Sequence, residues 1–175
     1  MMNGSSPPHN LVLAGFMGTG KTTVGQLLAR ELGLAFVDTD TLIEARAGRR
    51  IAAIFAHEGE AAFRRIEVEV CLQAASTRDQ VIATGGGALL NPDVRQALAA
   101  SGLLICLRAD LETIMQRVGH DPSRPLFGGE TARLARLLEA RAGVYDSLPH
   151  QIDTTGRSPQ QVAEEIIRLW QSNNR

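Results

Sequence analysis

Cysteine is scarce in this chain. Only Cys71 and Cys106 occur in 175 residues, too few and too far apart to suggest a disulfide framework or a zinc knuckle. Cys71 falls in a helical pattern and Cys106 in an apolar run, where each reads as a small buried hydrophobe. Net charge is nearly absent too: 18 Lys and Arg against 19 Asp and Glu leave a formal charge of -1, which offers no bulk attraction to nucleic acid or an anionic membrane. No apolar run approaches membrane-spanning length. The opening residues, Met1 to Asn10, lack the charged and apolar stretches of an export signal and read as a disordered leader. Internal repeats and low-complexity tracts are also missing. What remains is ordinary globular material, 44% hydrophobic and 21% charged, long enough for one domain with a real core. The expectation is a cytoplasmic monomer without nucleic-acid or membrane partners.

Against these absences stands Leu11-Val12-Leu13-Ala14-Gly15-Phe16-Met17-Gly18-Thr19-Gly20-Lys21-Thr22-Thr23. Four apolar residues run into Gly-x-x-x-x-Gly-Lys-Thr, and Val24 to Arg30 continue as a helix. That is a phosphate-binding loop in its strand–loop–helix setting. Its glycines let backbone N–H groups turn inward around a polyphosphate, and the start of the helix adds partial positive charge. Lys21 would reach the outer phosphates, and the Thr22 hydroxyl would ligate Mg²⁺.

Downstream, the helix should stop near Gly33. A short strand, Ala35-Phe36-Val37, ends at Asp38-Thr39-Asp40, two carboxylates placed where open α/β sheets bind ligands. One can hold the water shell of a metal and the other can accept a hydrogen bond from an alcohol. Alternatively, Asp40 or Thr41 caps the helix beginning at Leu42, and the two roles can coexist. That helix closes at Gly48. A further helical stretch starts at Ile51 and breaks at Gly59. Beyond it Phe63, Ile66, Val70 and Ala74 recur at helical spacing. On the residues alone, Arg64 and Arg65 read as solvated charge paired with Glu60, Glu67 or Glu69. The strand Gln80 to Thr84 runs into Gly85-Gly86-Gly87, three costly glycines that make sense where a ligand presses on bare backbone. Asn91-Pro92 opens the next helix, and Leu103 to Leu107 reads as a strand covered on both faces. Asp110 caps Leu111 to Val118. The polar, Pro-punctuated stretch from Gly119 to Gly129 reads as a lid at about 117–130, carrying Arg124 with Arg117 at its base. Leu134, Leu137, Leu138 and Val144 give an amphipathic helix with Arg141 and Tyr145 a turn apart. A last strand, Gln151 to Thr154, precedes a capping box at Ser158-Pro159-Gln160-Gln161. Five strands alternating with helices predict one α/β domain over 11–175, a parallel sheet with helices on both faces.

In order and spacing, several segments resemble the motifs of the shikimate kinases: Gly15 to Gly25, Phe36 to Asp40, Ile54-Phe55 with Gly59 to Arg64, Gly85-Gly86-Gly87, Arg124-Pro125-Leu126, and Arg141 with Tyr145. The resemblance runs from about Leu11 to Leu169. It implies a P-loop kinase of the nucleoside-monophosphate-kinase type, built on a five-stranded parallel sheet. It implies transfer of the γ-phosphoryl of ATP to the 3-hydroxyl of shikimate, with Mg²⁺, within aromatic amino-acid biosynthesis. By the same resemblance Gly18, Thr19, Gly20, Lys21, Thr22 and Thr23 bind the ATP phosphates. Thr22 and Asp38 serve the metal, and Arg117, Arg157 and Pro159 lie around the adenine. Asp40 contacts the shikimate hydroxyls, Arg64 and Arg141 grip its carboxylate, and Gly86 adds a backbone contact. Arg124 is the lid arginine on the phosphates, which makes Lys21, Asp40 and Arg124 the catalytic set. Thr22 stands where Ser is commoner in the family and preserves the hydroxyl. The rivals are a kinase of gluconate or a nucleoside monophosphate, and a nucleotide-dependent switch. The chain lacks an Asn-Lys-x-Asp guanine motif, and Arg108 rather than a metal-binding Asp follows Leu107.

Overall fold

The computed structural model describes residues 9–119 and 130–173. Residues 1–8 of the expected leader and 120–129 of the expected lid, Arg124 among them, lie outside that range. Five strands, β1 (Asn10–Gly15), β2 (Ala35–Asp38), β3 (Gln80–Ala83), β4 (Gly102–Arg108) and β5 (His150–Asp153), form one parallel sheet in the order β2-β3-β1-β4-β5. In the central register Leu11 lies beside Val81 on one flank and Leu103 on the other. Parallel neighbours require crossovers, and here the crossovers are helices that leave β1 buried along its whole length.

Side chains alternate across the sheet, which sorts the core into two layers. Leu11 and Leu13 pack with Leu28 of α1 (Lys21–Leu32) and Val162 and Ile166 of α7 (Pro159–Asn173). Val12 and Ala14 face the other way. Their cluster takes in Cys71 of α3 (Ile51–Ser76), Leu98 of α4 (Pro92–Ser101), Ile114 of α5 (Leu111–Gly119) and Leu134 of α6 (Glu130–Asp146). A third small cluster, Ile43, Ile54, Phe63 and Val70, joins α2 (Thr39–Ala47) to α3.

Local signals in the chain explain most of the boundaries. Gly33 and Gly48 end α1 and α2 in the left-handed conformation, and Gly59 breaks α3 into two helical pieces. Asn91 caps α4 ahead of Pro92, and Ser158 and Gln161 exchange capping bonds at the start of α7. Three boundaries differ from expectation. Asn10 belongs to β1 rather than to a leader: its amide donates to Thr77 O at 2.6 Å and accepts from Gln80 N at 3.1 Å, which satisfies a buried polar side chain. The α2 helix starts at Thr39, three residues before Leu42, because its cap is Asp38, which accepts from the N–H groups of Asp40 and Thr41. A 3₁₀ turn at Ala88–Leu90, with Ala88 and Leu89 buried, links the glycine run to α4, too short to leave a periodic trace.

Both cysteines are free and buried. Burial pushes the Cys71 thiol up to about 12 and the Cys106 thiol up to about 11. Ellman's reagent at pH 8 is therefore expected to find no reactive thiol in the native protein and both in guanidinium. Rapid native labelling would show that one of the two sites opens.

Candidate active site

The carboxyl ends of β1, β2 and β3 open onto a cavity of about 490 Å³, lined by the loop after β1, the Asp38–Asp40 turn, Thr84 and Gly86. This is the crevice position at which open α/β sheets bind ligands. The end of β1 packs tightly against β4: a Cβ on Gly15, at φ +136°, would stand 2.3 Å from Leu107 O. Thr19 is buried and donates to Phe16 O at 2.8 Å. Gly20 opens α1, and no side chain caps that helix, nor does an acid sit in its first turn. By contrast, α2 and α4 are capped by Asp38 and Asn91. An N-terminus left this way presents unsatisfied N–H groups and an uncompensated dipole to the cavity, the ordinary arrangement for an anion. Gly18, Thr19, Gly20, Lys21, Thr22 and Thr23 all line it. Lys21 Nζ donates to Gly15 O at 2.9 Å and Phe16 O at 2.8 Å, so the ammonium lies over its own loop.

Thr22 and Asp38, paired in the sequence expectation as metal ligands, do meet. Thr22 Oγ1 donates to Asp38 Oδ2 at 3.0 Å, while Asp38 Oδ1 receives the α2 N–H groups. On the far wall Arg117 reaches Gly18 O at 3.2 Å, Thr154 Oγ1 at 2.9 Å and Thr154 O at 2.9 Å. The buried Thr154 hydroxyl lies 3.2 Å from Thr19 O and 2.9 Å from Arg108 O. Arg117 and Thr154 thus tie the phosphate loop to the end of β5. Arg157 lines the same wall with Pro159, braced by Asp153 O at 3.0 Å and by an ion pair with Glu165 at 2.6 Å.

Two of the three glycines after β3 also leave room for the protein's own side chains. A Cβ on Gly85 would sit 2.8 Å from Asp40 Oδ1 and 3.1 Å from Glu67 Oε1, and one on Gly87 would sit 2.7 Å from Arg64 Nη1. At 85 and 87 the protein's own charged side chains occupy the space that a Cβ would need, whereas a Cβ on Gly86 would come no closer than 3.4 Å to Arg141 Nη1. Arg64 is paired as a helix-surface charge would be, with Glu60 at 3.3 Å and Glu67 at 2.6 Å. Yet its partner Glu67 is only 4% exposed, Arg64 itself 33%, and the guanidinium stacks 5.1 Å over Phe63. Burial pushes the Glu67 carboxyl above its usual range, Arg64 draws it down, and Asp40 adds to the rise. Burial alone would lower the Arg64 pKa, but Glu67 and Glu60 outweigh it and the net shift is upward. From the opposite side Arg141 Nη1 donates to Gly86 O at 3.0 Å, with its guanidinium 5.6 Å over the Phe16 ring. Its buried Nε has no hydrogen-bond partner among the described residues. The Tyr145 hydroxyl also donates to Gly86 O.

Asp40, Arg64, Gly86 and Arg141 therefore come together around one glycine loop, and Lys21, Thr22 and Asp38 adjoin them. Glu67 and Thr154 were not anticipated as site residues. Glu67 left a signal, its position one helical turn beyond Arg64. Thr154 left none, since its contact with Thr19 spans 135 residues.

The model of the shikimate kinase family matches residues 17–171. The shikimate kinase of Moorella thermoacetica is 47% identical over 167 residues, covering 93% of this chain and 96% of the relative. Among solved structures, a shikimate kinase from Acinetobacter baumannii in complex with shikimate is 37% identical, with a TM-score of 0.88 and 94% of each chain covered. A gluconokinase from Sinorhizobium meliloti, 18% identical with a TM-score of 0.61 over 94% of this chain and 95% of its own, shares the fold alone. The family match over most of the length, joined to a phosphate loop facing a glycine turn held between two arginines, makes this chain a member of the shikimate kinase family.

Proposed function

We propose that the reaction of this family, transfer of the γ-phosphoryl group of ATP to the 3-hydroxyl of shikimate, is carried out here between the α1 N-terminus and the Gly85–Gly87 loop. The carrying observation is that one cavity is lined by Lys21, Thr22, Asp38, Asp40 and Gly86. Donor phosphates and an alcohol acceptor need that adjacency, because phosphoryl transfer is mostly positioning and charge compensation.

In this reading the amides from Gly18 to Thr23 hold the triphosphate, and Lys21 swings from its loop carbonyls onto the outer phosphates. Arg117, Arg157 and Pro159 flank the adenine. Thr22 and Asp38 supply a hydroxyl and a carboxylate, the hard oxygen donors that Mg²⁺ takes alongside substrate phosphates, so the residues present fit that ion. When bound, the ion supplies charge neutralisation on the phosphate oxygens. Arg64 and Arg141 receive the shikimate carboxylate, a planar anion suited to guanidinium. Gly86 adds a backbone contact, and Asp40 accepts the proton of the attacking hydroxyl. Arg124, within the lid assigned to 117–130, completes the charge compensation. Among the described residues no helix is long and apolar enough to cross a membrane. The working form is a cytoplasmic monomer acting on free substrates.

Coupled detection of ADP across a panel of shikimate, gluconate and nucleoside monophosphates tests the acceptor. Shikimate alone is expected to stimulate turnover; stimulation by gluconate or a nucleotide, with none by shikimate, overturns the assignment. In the same assay Arg64→Ala is expected to lower kcat/KM for shikimate about 10- to 100-fold, the loss of a charge-assisted pair of roughly 1.5–3 kcal/mol, with KM for ATP unchanged.

A further inference from the structure

Tyr145 belongs to the motif shared with the shikimate kinases, yet neither substrate needs it in the reading above. It is the one tyrosine in the chain. It sits on α6 four residues beyond Arg141, on the same face of the helix, and its ring is buried in the core layer with Phe16 and Leu134. Its hydroxyl and Arg141 Nη1 both donate to a single acceptor, the carbonyl of Gly86. Two donors on one carbonyl fill both of its lone pairs and fix the plane of the peptide between Gly86 and Gly87.

We propose that Tyr145 is a positioning residue for the acceptor site, holding the glycine loop in its binding geometry while Arg141 turns its donors to the substrate carboxylate. The inference rests on the shikimate reading given above. Arg141 serves two acceptors in that reading, because an incoming carboxylate draws on the same guanidinium that holds Gly86 O. Its Nε, buried without a partner among the described residues, marks it as a donor awaiting an anion. The phenol faces no such competition. It is neutral, and burial raises its pKa further, against a smaller opposing effect from Arg141, so it stays protonated across the working range. The Gly86 carbonyl therefore keeps one donor when the other is diverted. An oriented Gly86 peptide also fixes its neighbours, and a Cβ at Gly85 or Gly87 would already collide with Asp40 or Arg64. A loop that drifted would displace the groups that receive both ends of the acceptor.

Tyr145→Phe removes the hydroxyl and leaves the ring in the core. Initial rates are measured with shikimate and ATP varied separately, alongside thermal melting of both proteins. The expected result is a rise of about threefold to tenfold in KM for shikimate, as for loss of one hydrogen bond, with KM for ATP unchanged and the melting temperature lowered by no more than about 6 °C. An unaltered KM for shikimate overturns the proposal. Equal rises in both KM values with a lowered melting temperature overturn it as well, since they report general loosening. If the wild type itself shows no shikimate-dependent turnover, the acceptor assignment falls and takes this proposal with it. Normal wild-type turnover with an unaltered variant defeats the Tyr145 role alone.

Discussion

A Lys21→Met variant is expected to bind shikimate as the wild type does and to turn over about 10²–10³-fold more slowly. Lys21 is the first residue of α1, at the helix end without a side-chain cap, and it contributes the charge that the backbone dipole only approximates. Its ammonium rests on Gly15 O and Phe16 O at 2.9 and 2.8 Å, two neutral carbonyls. A triphosphate is a far better partner for a cation, so the side chain is expected to exchange those bonds for phosphate oxygens when nucleotide binds. Charge accumulating on the transferred group then meets a donor already in place, and the part of that interaction that strengthens in the transition state raises the rate. Methionine keeps the apolar stem and the helix start but offers no donor. The lost loop bonds should lower the melting temperature by only about 2–6 °C. Steady-state kinetics with a thermal melt separate the two effects. Near-normal kcat in a folded variant would remove Lys21 from the catalytic set.

The difference between what the residues disclosed and what they hid follows the range of the contacts. The phosphate loop was legible because its chemistry is local: glycines, Lys21 and Thr22 lie within eight positions and carry the strand and helix on either side. The capping box at Ser158 and the glycine stops at Gly33 and Gly48 were legible for the same reason. At Asp38-Thr39-Asp40-Thr41 the expected cap was Asp40 or Thr41, and neither is the cap. Only the fold decided, by giving Asp38 both the α2 N–H groups and the Thr22 hydroxyl. Arg64 is more instructive. Its pairing with Glu60 and Glu67 is the ordinary pattern of a solvated helix, and the structure contains those very pairs. What the pattern could not express is that Glu67 is buried and that the other side of the guanidinium touches the space left by Gly87. The resemblance to a family implied a different role, a grip on the acceptor carboxylate, and the contact with Gly87 came from the fold alone. Thr154 stayed invisible because it acts through backbone oxygens of Thr19 and Arg108, distant along the chain.

For Asp40→Asn, kcat should fall about 10²–10⁴-fold while the Kd for shikimate, read by calorimetry, changes less than tenfold. The carboxylate is held in the first turn of α2, where its own N–H donates to Asp38 Oδ1 at 3.0 Å. One cap therefore fixes both acids: Asp38 toward Thr22, Asp40 toward the glycine loop. Asp40 Oδ1 comes within 2.8 Å of the point where a Gly85 Cβ would lie, and Glu67 Oε1 within 3.1 Å of the same point. A side chain at 85 would force the Asp40 carboxylate to shift. Asparagine is the same shape and retains one oxygen to receive a hydroxyl hydrogen bond, so binding geometry survives. It cannot take the proton, and the alcohol must then attack while still protonated or lose its proton to water. A loss confined to kcat thus identifies proton acceptance. A matching loss in affinity, or a kcat within tenfold of wild type, would reduce Asp40 to orienting the acceptor. Asp40→Ala supplies the contrast, since it deletes the remaining acceptor oxygen and should weaken shikimate binding in addition to lowering kcat. The separation between the two variants therefore measures how much of the rate depends on where the hydroxyl points and how much on where its proton goes.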